Sequence, residues 1–323
     1  MLINILYFLI GSGLIIKGAD WLTDGASSIA RRFNVSSLVI GLTIVAFGTS
    51  APELVVSLIS GIEGKSDIAI GNVVGSNIFN TLAIAGITAL IYPIRCQKST
   101  IYFDLPVCIF ASGLLLFMTS DSYICAGSQN VISRIDGLIL LLLFIFFMYH
   151  SFHSNKSSKS TDSLNTSNEK EMSMFKAIIL FIIGLGCLIF GGDWFVDGAS
   201  GIASWLGVSQ STIALTIVAA GTSFPELVTS IVAARKGDTD MALGNVIGSN
   251  IFNIFLILGL SSIVHPLELG TVKYYNIILL IVSSIMMFLF GLLGKKHHYI
   301  TRSEGLTLTI MAICYYSYVV IFN

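Results

Sequence analysis

Two stretches that are near copies of each other decide the fold: GLTIVAFGTSAPELVVSLISG with GNVVGSNIFN within residues 41–80, and ALTIVAAGTSFPELVTSIVAA with GNVIGSNIFN within residues 214–253. A uniform offset of 173 positions aligns the two blocks without gaps and leaves 25 of 40 residues identical, far more than shared hydrophobicity gives. Each copy carries a single carboxylate in an apolar span, Glu53 or Glu226. The sequence therefore predicts an internally duplicated protein centred on a buried acidic site.

The composition predicts an integral, all-α membrane protein. Hydrophobic residues make up 54% of the 323 residues, charged residues only 11%, and the mean hydropathy is +0.87. Charged residues are about a quarter of a soluble chain, and a helix needs roughly 20 apolar residues to cross the hydrocarbon layer. Ten such spans are predicted, with approximate limits 3–22, 37–60, 68–91, 101–119, 135–152, 174–195, 210–234, 240–263, 273–294 and 304–321.

The ten predicted transmembrane helices divide into two halves. Residues 1–150 form the first five-helix repeat and residues 174–323 the second, while the polar interval 151–173, rich in Ser, Asn and Lys, is predicted to be a flexible linker. Because five is an odd number of crossings, the second repeat enters the membrane from the opposite side. The repeats are therefore expected to have inverted topology.

The distribution of Lys and Arg gives the orientation. On the ten-helix arrangement one side collects Arg31, Arg32, Arg95, Lys98, Lys156, Lys159, Lys170, Lys176, Arg235, Lys236, Lys295, Lys296 and Arg302, and the other holds Lys65, Arg134 and Lys273. By the positive-inside rule the linker is expected to be cytoplasmic and both termini outside, in the plasma membrane of the cell.

Polar groups around the two glutamates indicate a cation site. A carboxylate at membrane depth is costly and usually faces a cavity, an ion or a partner, and pseudo-twofold symmetry brings Glu53 and Glu226 toward each other at the repeat interface. Pro52 and Pro225 remove a helical hydrogen bond beside them. The hydroxyl groups expected on the same helical faces, three and four residues before each glutamate, belong to Thr49, Ser50, Thr222 and Ser223.

The following helix of each repeat adds a polar stripe. Its residues recur at i, i+4 and i+8 and therefore share one face: Asn72, Ser76 and Asn80 in the first copy, Asn245, Ser249 and Asn253 in the second. Neither block contains His or Cys, so the predicted ligand set is all oxygen. Hard cations such as Ca²⁺ and Na⁺ prefer such a set, whereas zinc or copper calls for nitrogen or sulfur.

Other polar residues are more easily interpreted as structural. Small polar residues in membrane helices commonly pack or bond between helices, which is the expectation for Ser57, Ser230, Thr43 and Thr216. For Asn77 and Asn250 both interpretations stay open. The four aspartates that the repeat pairs are expected near helix ends, in capping or solvated positions: Asp20, Asp24, Asp193 and Asp197.

The blocks GTSAPEL with GNVVGSNIFN and GTSFPEL with GNVIGSNIFN resemble the two alpha-repeats of the cation/calcium exchanger superfamily, most closely its prokaryotic sodium/calcium exchanger branch. The resemblance implies two inverted five-helix halves and exchange of Na⁺ for Ca²⁺ at one central site, with the first and sixth helices as a mobile gating pair. The proton/calcium branch has a GNATEL-like motif instead, so the resemblance favours sodium coupling.

Carried over at matching positions, the resemblance implies that Glu53 and Glu226 hold both ions and that Thr49, Ser50, Thr222, Ser223, Ser76 and Ser249 supply oxygens, with Asn80 and Asn253 in the same set. It also implies that backbone carbonyls near Ala46 and Ala219 bind sodium. One departure stands out: some similar proteins carry Asp where this chain has Asn253, so the formal charge of the site is −2 rather than −3.

Several alternatives remain at this point. Within the transporters these are a proton-coupled or potassium-assisted calcium exchanger, and outside them a cation channel, a membrane enzyme or a structural membrane component. An enzyme is disfavoured because the blocks hold no nucleophile and base pair. A formal net charge of −1 argues against a nucleic-acid partner. No cofactor is expected; the expected partners are the transported Ca²⁺ and Na⁺ and the lipid bilayer.

Overall fold

The computed structural model describes residues 1–33, 35–121, 130–154, 172–207, 221–270, 272–294 and 296–322 of the chain. We number its helices in chain order: α1 (Leu2–Arg32), α2 (Ser37–Thr49), α3 (Ala51–Ile62), α4 (Ser66–Ile91), α5 (Thr100–Met118), α6 (Arg134–Ser154), α7 (Met174–Trp205), α8 (Phe224–Arg235), α9 (Thr239–Val264), α10 (Tyr274–Leu293) and α11 (Arg302–Phe322). The strands are β1 (Ile94–Arg95), β2 (Val131–Ile132), β3 (Leu267–Glu268) and β4 (Tyr299–Ile300).

The described helices confirm a multi-pass, all-helical membrane protein. Within the described residues, seven helices are long and apolar enough to cross a membrane, namely α1, α4, α5, α6, α7, α9 and α10, and α2 with α3 makes an eighth if the bent pair is one span. Large apolar side chains on the outer helices are exposed, including Leu2 at 84% and Phe175 at 76%. Lipid, rather than water, is the solvent that suits such a surface.

A break at Ser50 separates α2 from α3 and bends the pair by 50°. Pro52 lies in the first turn of α3, where its missing N–H is not needed and its fixed φ suits the helix. Pro225 occupies the same place at the start of α8. Each proline therefore lies at the start of a helix, directly before a glutamate.

The helices α4 and α9 form the centre of the bundle. In their most apolar stretches, 72% and 83% of the residues are buried, compared with 22% for α1, α6 and α7. Both central helices contain a π-helical segment, Phe79–Ile84 in α4 and Phe252–Leu258 in α9. Such widened turns often occur at functional sites, and each of these begins one residue before an Asn of the repeated block.

The long helices α1 and α7 pack with their backbones in close approach. A Cβ on Gly18 would lie 2.8 Å from the carbonyl oxygen of Gly184, and one on Gly184 would lie 2.5 Å from the amide nitrogen of Leu22. A Cβ on Gly11 would lie 2.5 Å from the amide nitrogen of Phe195, and one on Gly191 would lie 3.0 Å from that of Ile15. Because only glycine permits this spacing, α1 and α7 form one tightly joined pair.

Two short antiparallel strand pairs connect the halves outside the helices. β1 pairs with β4 through Ile94 opposite Ile300, and β2 pairs with β3 through Ile132 opposite Leu267. The sequence analysis did not predict these strands. Each pair joins one strand from the first repeat to one from the second.

Three sequence predictions need correction or lie outside the described residues. Asp20 and Asp24 lie well inside the 31-residue α1, and Asp193 and Asp197 well inside the 32-residue α7, so their placement near helix ends was wrong. Both helices run past the predicted spans. Residues 151–154, counted with the linker, belong to α6. The linker from 155 to 171 and the first part of the span predicted at 210–234 lie outside the described residues.

Candidate functional site

The two glutamates of the repeats lie at corresponding places in the fold. Glu53 is in the first turn of α3 and Glu226 in the first turn of α8, and both are completely buried. The first turn of a helix presents unpaired backbone N–H groups and the positive end of the helix dipole. These two helix starts therefore provide a favourable setting for buried negative charge.

Each glutamate accepts a hydrogen bond from a serine of the opposite repeat. The Ser50 hydroxyl donates to Oε1 of Glu226 over 2.9 Å, and the Ser223 hydroxyl donates to Oε1 of Glu53 over 3.0 Å. Each serine lies three residues before the glutamate of its own block. The two repeated blocks thus meet face to face, and both carboxylates lie at a single centre.

A second pair of contacts fixes the start of each short helix to a central helix. Asn72 Nδ2 donates to the carbonyl oxygen of Glu53 over 3.3 Å and to the Ser57 hydroxyl over 2.9 Å. Asn245 Nδ2 makes the corresponding contacts in the second repeat, 3.3 Å to the carbonyl oxygen of Glu226 and 3.1 Å to the hydroxyl of Ser230. Ser57 and Ser230 therefore bond between helices, in keeping with their expected structural role.

Further hydroxyl and amide groups extend the centre along α4 and α9. Ser249 donates to Oε1 of Glu226 at 3.5 Å, and Thr49 is 3.1 Å from Oδ1 of Asn245. Asn253 Nδ2 donates to the Ser76 hydroxyl over 3.0 Å. The polar stripes of the two central helices thus contact each other across the repeat interface.

Asn77 and Asn250, whose role the sequence left open, hold the two central helices together. Asn77 Nδ2 donates to the backbone carbonyl of Asn250 over 3.1 Å, and Asn77 Oδ1 accepts from Asn253 over 2.8 Å. Asn250 Nδ2 donates to the Thr81 hydroxyl over 2.7 Å. Thr81 was not identified from the sequence. Its pattern gives no signal, because the corresponding position in the second repeat is Ile254.

Several buried oxygens of the centre have no hydrogen-bond partner among the residues that the structure describes. They are Oε2 of Glu53, Oε2 of Glu226, Oγ1 of Thr222, Oδ1 of Asn80 and Oδ1 of Asn253. Buried polar atoms are nearly always paired, and two carboxylates in one enclosed centre require compensating charge. The donor set of carboxylate, hydroxyl and amide oxygens fits hard cations.

The structure places the remaining predicted site residues as follows. Asn80 is buried, and neither polar atom of its side chain has a partner among the described residues. The carbonyl oxygen of Ala46 accepts the backbone N–H of Ser50 over 3.0 Å and lies 3.4 Å from the donating hydroxyl of Thr49. Ala219 lies outside the described residues, as does Thr216.

The buried centre in the described part of the chain offers carboxylate, hydroxyl and amide oxygens. No group of three or more His, Cys, Asp or Glu side chains that could hold a metal ion occurs there. Two carboxylates with hydroxyl and amide oxygens, enclosed at the starts of two helices, are typical of membrane transporters of hard cations. The described helices and the buried centre therefore indicate a membrane transporter of cations.

Comparisons with known proteins identify the family. The family model described as "Sodium/calcium exchanger protein" matches residues 3–153 and 176–322. The chain is 35% identical over 345 residues to the sodium/calcium exchanger MaX1 of Methanosarcina acetivorans, with 97% of each protein covered. It is 34% identical to the inner membrane protein YrbG of Escherichia coli, with 87% of each covered. The chain belongs to the sodium/calcium exchanger protein family.

A solved structure of the sodium-calcium exchanger NCX_Mj, soaked with Na⁺ and Sr²⁺, has the same fold. The superposition gives a TM-score of 0.81 at 34% sequence identity and covers 97% of this chain and 98% of that one. The resemblance stated from the repeated blocks is therefore confirmed over nearly the whole chain. As a member of a transporter family the protein is not an enzyme.

Proposed function

We propose that this protein is a secondary active antiporter that exchanges Na⁺ for Ca²⁺ across the membrane by alternating access at the centre between the two repeats. The observation that carries the proposal is the reciprocal pair of hydrogen bonds, Ser50 to Glu226 and Ser223 to Glu53, which joins two buried carboxylates in one oxygen-lined site. Support comes from MaX1, named a sodium/calcium exchanger, and from NCX_Mj, soaked with Na⁺ and Sr²⁺.

We assign the ion ligands to the residues that the repeats pair. Glu53 and Glu226 bind Ca²⁺ and Na⁺ in turn, and their unpartnered Oε2 atoms face the ion. The other ligands of this proposal are the side-chain oxygens of Thr49, Ser50, Thr222, Ser223, Ser76, Ser249, Asn80 and Asn253, and the backbone carbonyls of Ala46 and Ala219. Several of the hydroxyls now donate to carboxylates and would turn their lone pairs toward a bound cation.

Electrostatics supplies the coupling between the two ions. Two bare carboxylates in a low-dielectric interior repel each other strongly and are poorly solvated. One Ca²⁺ or a set of Na⁺ ions removes that cost. We propose that the helices beside the site slide between the outward-open and inward-open arrangements only when the charge is compensated. The ion-free carrier is then held in one arrangement. Exchange then becomes the permitted cycle and leak is suppressed.

In this proposal the protein has ten transmembrane spans in two inverted halves, residues 1–150 and 174–323. The eight spans counted among the described residues are completed by α11 and by α8 together with the segment before it. The linker 151–173 is cytoplasmic and both termini are outside, in the plasma membrane. The Lys and Arg distribution supports this orientation, because the side with the linker carries most of these residues.

Calcium flux in reconstituted vesicles tests the function. An outward Na⁺ gradient should drive Ca²⁺ uptake, and Glu53→Gln or Glu226→Gln should abolish it because the site loses half of its negative charge. Glu268→Gln is the matched control, since Glu268 is an exposed carboxylate on β3. Wild-type flux in both site variants would remove these residues from the mechanism.

Varying the ions one at a time separates the alternatives. Removal of Na⁺ at constant pH and K⁺ should stop Ca²⁺ uptake in the antiporter proposed here. Uptake that persists without Na⁺ but follows the pH gradient would indicate proton coupling, and a requirement for K⁺ would indicate a potassium-assisted exchanger. Ca²⁺ current with no counter-ion present would indicate a channel.

A further inference from the structure

One ion-pair network joins the α1–α7 pair to the second repeat at one end of the bundle. Lys236, which directly follows α8, lies 2.8 Å from Oδ1 of Asp24 and 3.3 Å from Oδ1 of Asp20 through its Nζ. Nζ also donates to the Thr23 hydroxyl and to the carbonyl oxygen of Asp20, both over 3.0 Å. One lysine therefore makes four polar contacts with a single turn of α1.

At the position that corresponds to Lys236 by the 173-residue offset, the first repeat carries a residue of opposite charge. The offset relates Asp20 to Asp193 and Asp24 to Asp197, but it relates Lys236 to Glu63. Glu63 forms an ion pair with Lys65 at 2.6 Å. Neither Asp193 nor Asp197 has an ion pair with any residue that the structure describes. At the Glu63 end, therefore, the lysine is paired with Glu63 and not with the aspartates of the long helix.

Helix packing is also tighter at the end that carries the Lys236 network than at the end that carries Glu63. α1 packs against α8, the helix that Lys236 follows. Among the described residues, the corresponding pair in the other half, α7 and α3, makes few contacts. A hydrogen bond from Ser27 on α1 to Oδ2 of Asp238, at 3.4 Å, adds to the closed end. The bundle is therefore closed at the Lys236 end and looser at the Glu63 end.

We propose that Lys236, Asp20 and Asp24 form a latch that holds the α1–α7 pair in the conformation seen here and sets the conformational preference of the ion-free carrier. This proposal rests on the alternating access proposed above. Exchanging the roles of the two halves separates Lys236 from Asp20 and Asp24 and brings Glu63 toward Asp193 and Asp197. The first change loses the ion pairs of Lys236, and the second offers a glutamate instead of a lysine at the corresponding place, so the opposite conformation lacks this stabilisation.

The latch gives the carrier a preferred side. With the linker cytoplasmic, the Lys236 end is the cytoplasmic one, and the favoured conformation is open to the outside. A site that is seldom open to the inside shows a weaker apparent affinity there, in proportion to the population that is competent to bind. Removing the latch is therefore expected to improve inner-face Ca²⁺ affinity and to weaken outer-face affinity, each in proportion to the change in the population that is open to that side.

Disulfide trapping measures the latched population without relying on transport. In a background without native cysteines, Ser27→Cys with Asp238→Cys places two thiols across the closed end. Their oxidation rate without Na⁺ or Ca²⁺ should fall roughly two- to tenfold in Lys236→Gln. Arg235→Gln is the matched control, because it removes an adjacent exposed positive charge that has no ion pair with the described residues. That control should leave the rate unchanged.

A variant at the opposite end guards against a local folding defect. Glu63→Lys creates the missing lysine opposite Asp193 and Asp197, favours the other conformation, and should also slow trapping although it lies far from the reporter cysteines. Trapping rates equal to the control in both variants, from protein that stays monodisperse, would overturn the latch even if Na⁺-driven Ca²⁺ flux is normal. Slowed trapping in a protein that exchanges no Ca²⁺ for Na⁺ would keep the latch and reject the proposed function.

Discussion

The Ser50 hydroxyl donates a hydrogen bond to Glu226 over 2.9 Å although 176 positions separate the two residues. The contact is repeated in the reverse sense by Ser223 and Glu53. Each carboxylate is thus oriented by the block that does not contain it. Neither repeat can complete the centre alone, and a shift of one half against the other alters both carboxylates at once.

Replacing these serines should weaken cation binding. Hydrogen bonds to charged groups contribute about 1.5–3 kcal/mol, so Ser50→Ala and Ser223→Ala should each weaken apparent Ca²⁺ affinity by about tenfold or more. The larger loss is expected for Ser223→Ala, because Glu226 also accepts from Ser249. Ser112→Ala is the control, since that hydroxyl donates only to the carbonyl of Cys108 in its own helix. Equal affinities in all three variants would contradict the orienting role of the serines.

The amide contacts of Asn72 and Asn245 predict an effect on both stability and transport. Asn245→Ala leaves the carbonyl of Glu226 and the hydroxyl of Ser230 without their donor. Each hydrogen bond lost costs about 0.5–1.5 kcal/mol, so the midpoint of thermal unfolding in detergent should fall along with Ca²⁺ flux. Asn72→Ala should do the same. Asn276→Ala, at the start of α10, should leave flux intact, and a comparable loss of flux there would argue against a specific effect.

The close approach of α1 and α7 predicts a sharp contrast between two neighbouring glycines. A Cβ on Gly184 would lie 2.5 Å from the Leu22 amide nitrogen, whereas a Cβ on Gly186 would meet nothing within 4 Å. Gly184→Ala should therefore lower the free energy of unfolding by about 1–3 kcal/mol through overpacking. Gly186→Ala should be neutral or slightly stabilising, since it only improves helix propensity. Similar unfolding midpoints for the two variants would show that the helices are not in contact as described.

Adding a third carboxylate at Asn253 should change the sodium dependence of exchange. Asn253→Asp raises the formal charge of the centre from −2 to −3, and full compensation then takes one more monovalent cation. The dependence of Ca²⁺ uptake on Na⁺ should become steeper in reconstituted vesicles. Asn253→Ala also loses the bonds to Ser76 and Asn77 but adds no charge. Its sodium dependence should keep the original steepness, and a steeper curve there would attribute the effect to the lost amide instead.

Much of the fold and the centre followed from the repeat alone. The 173-residue offset placed Glu53 and Glu226 at equivalent positions, and Pro52 predicted the break between α2 and α3. Hydropathy located most of the spans. Inverted symmetry also predicted that the carboxylates approach each other, and the crossed serine contacts have that arrangement.

Other features depend on tertiary contacts that no local pattern contains. Asp20 and Asp24 were expected near a helix end because hydropathy falls there, but backbone packing against α7 continues α1 for further turns. Their partner, Lys236, is 212 residues from Asp24 in the chain. The four strands are two residues each, too short to show an alternating pattern. The identity of the groups that meet across the interface therefore required the structure.

The strand pairs have a consequence for how the molecule is held together. β1 with β4 and β2 with β3 cross-connect the halves, and the glycine contacts of α1 and α7 do so again. The covalent connection between residues 154 and 172 is then redundant for assembly. Two polypeptides, made separately and ending on either side of that connection, should recombine in the bilayer into one particle.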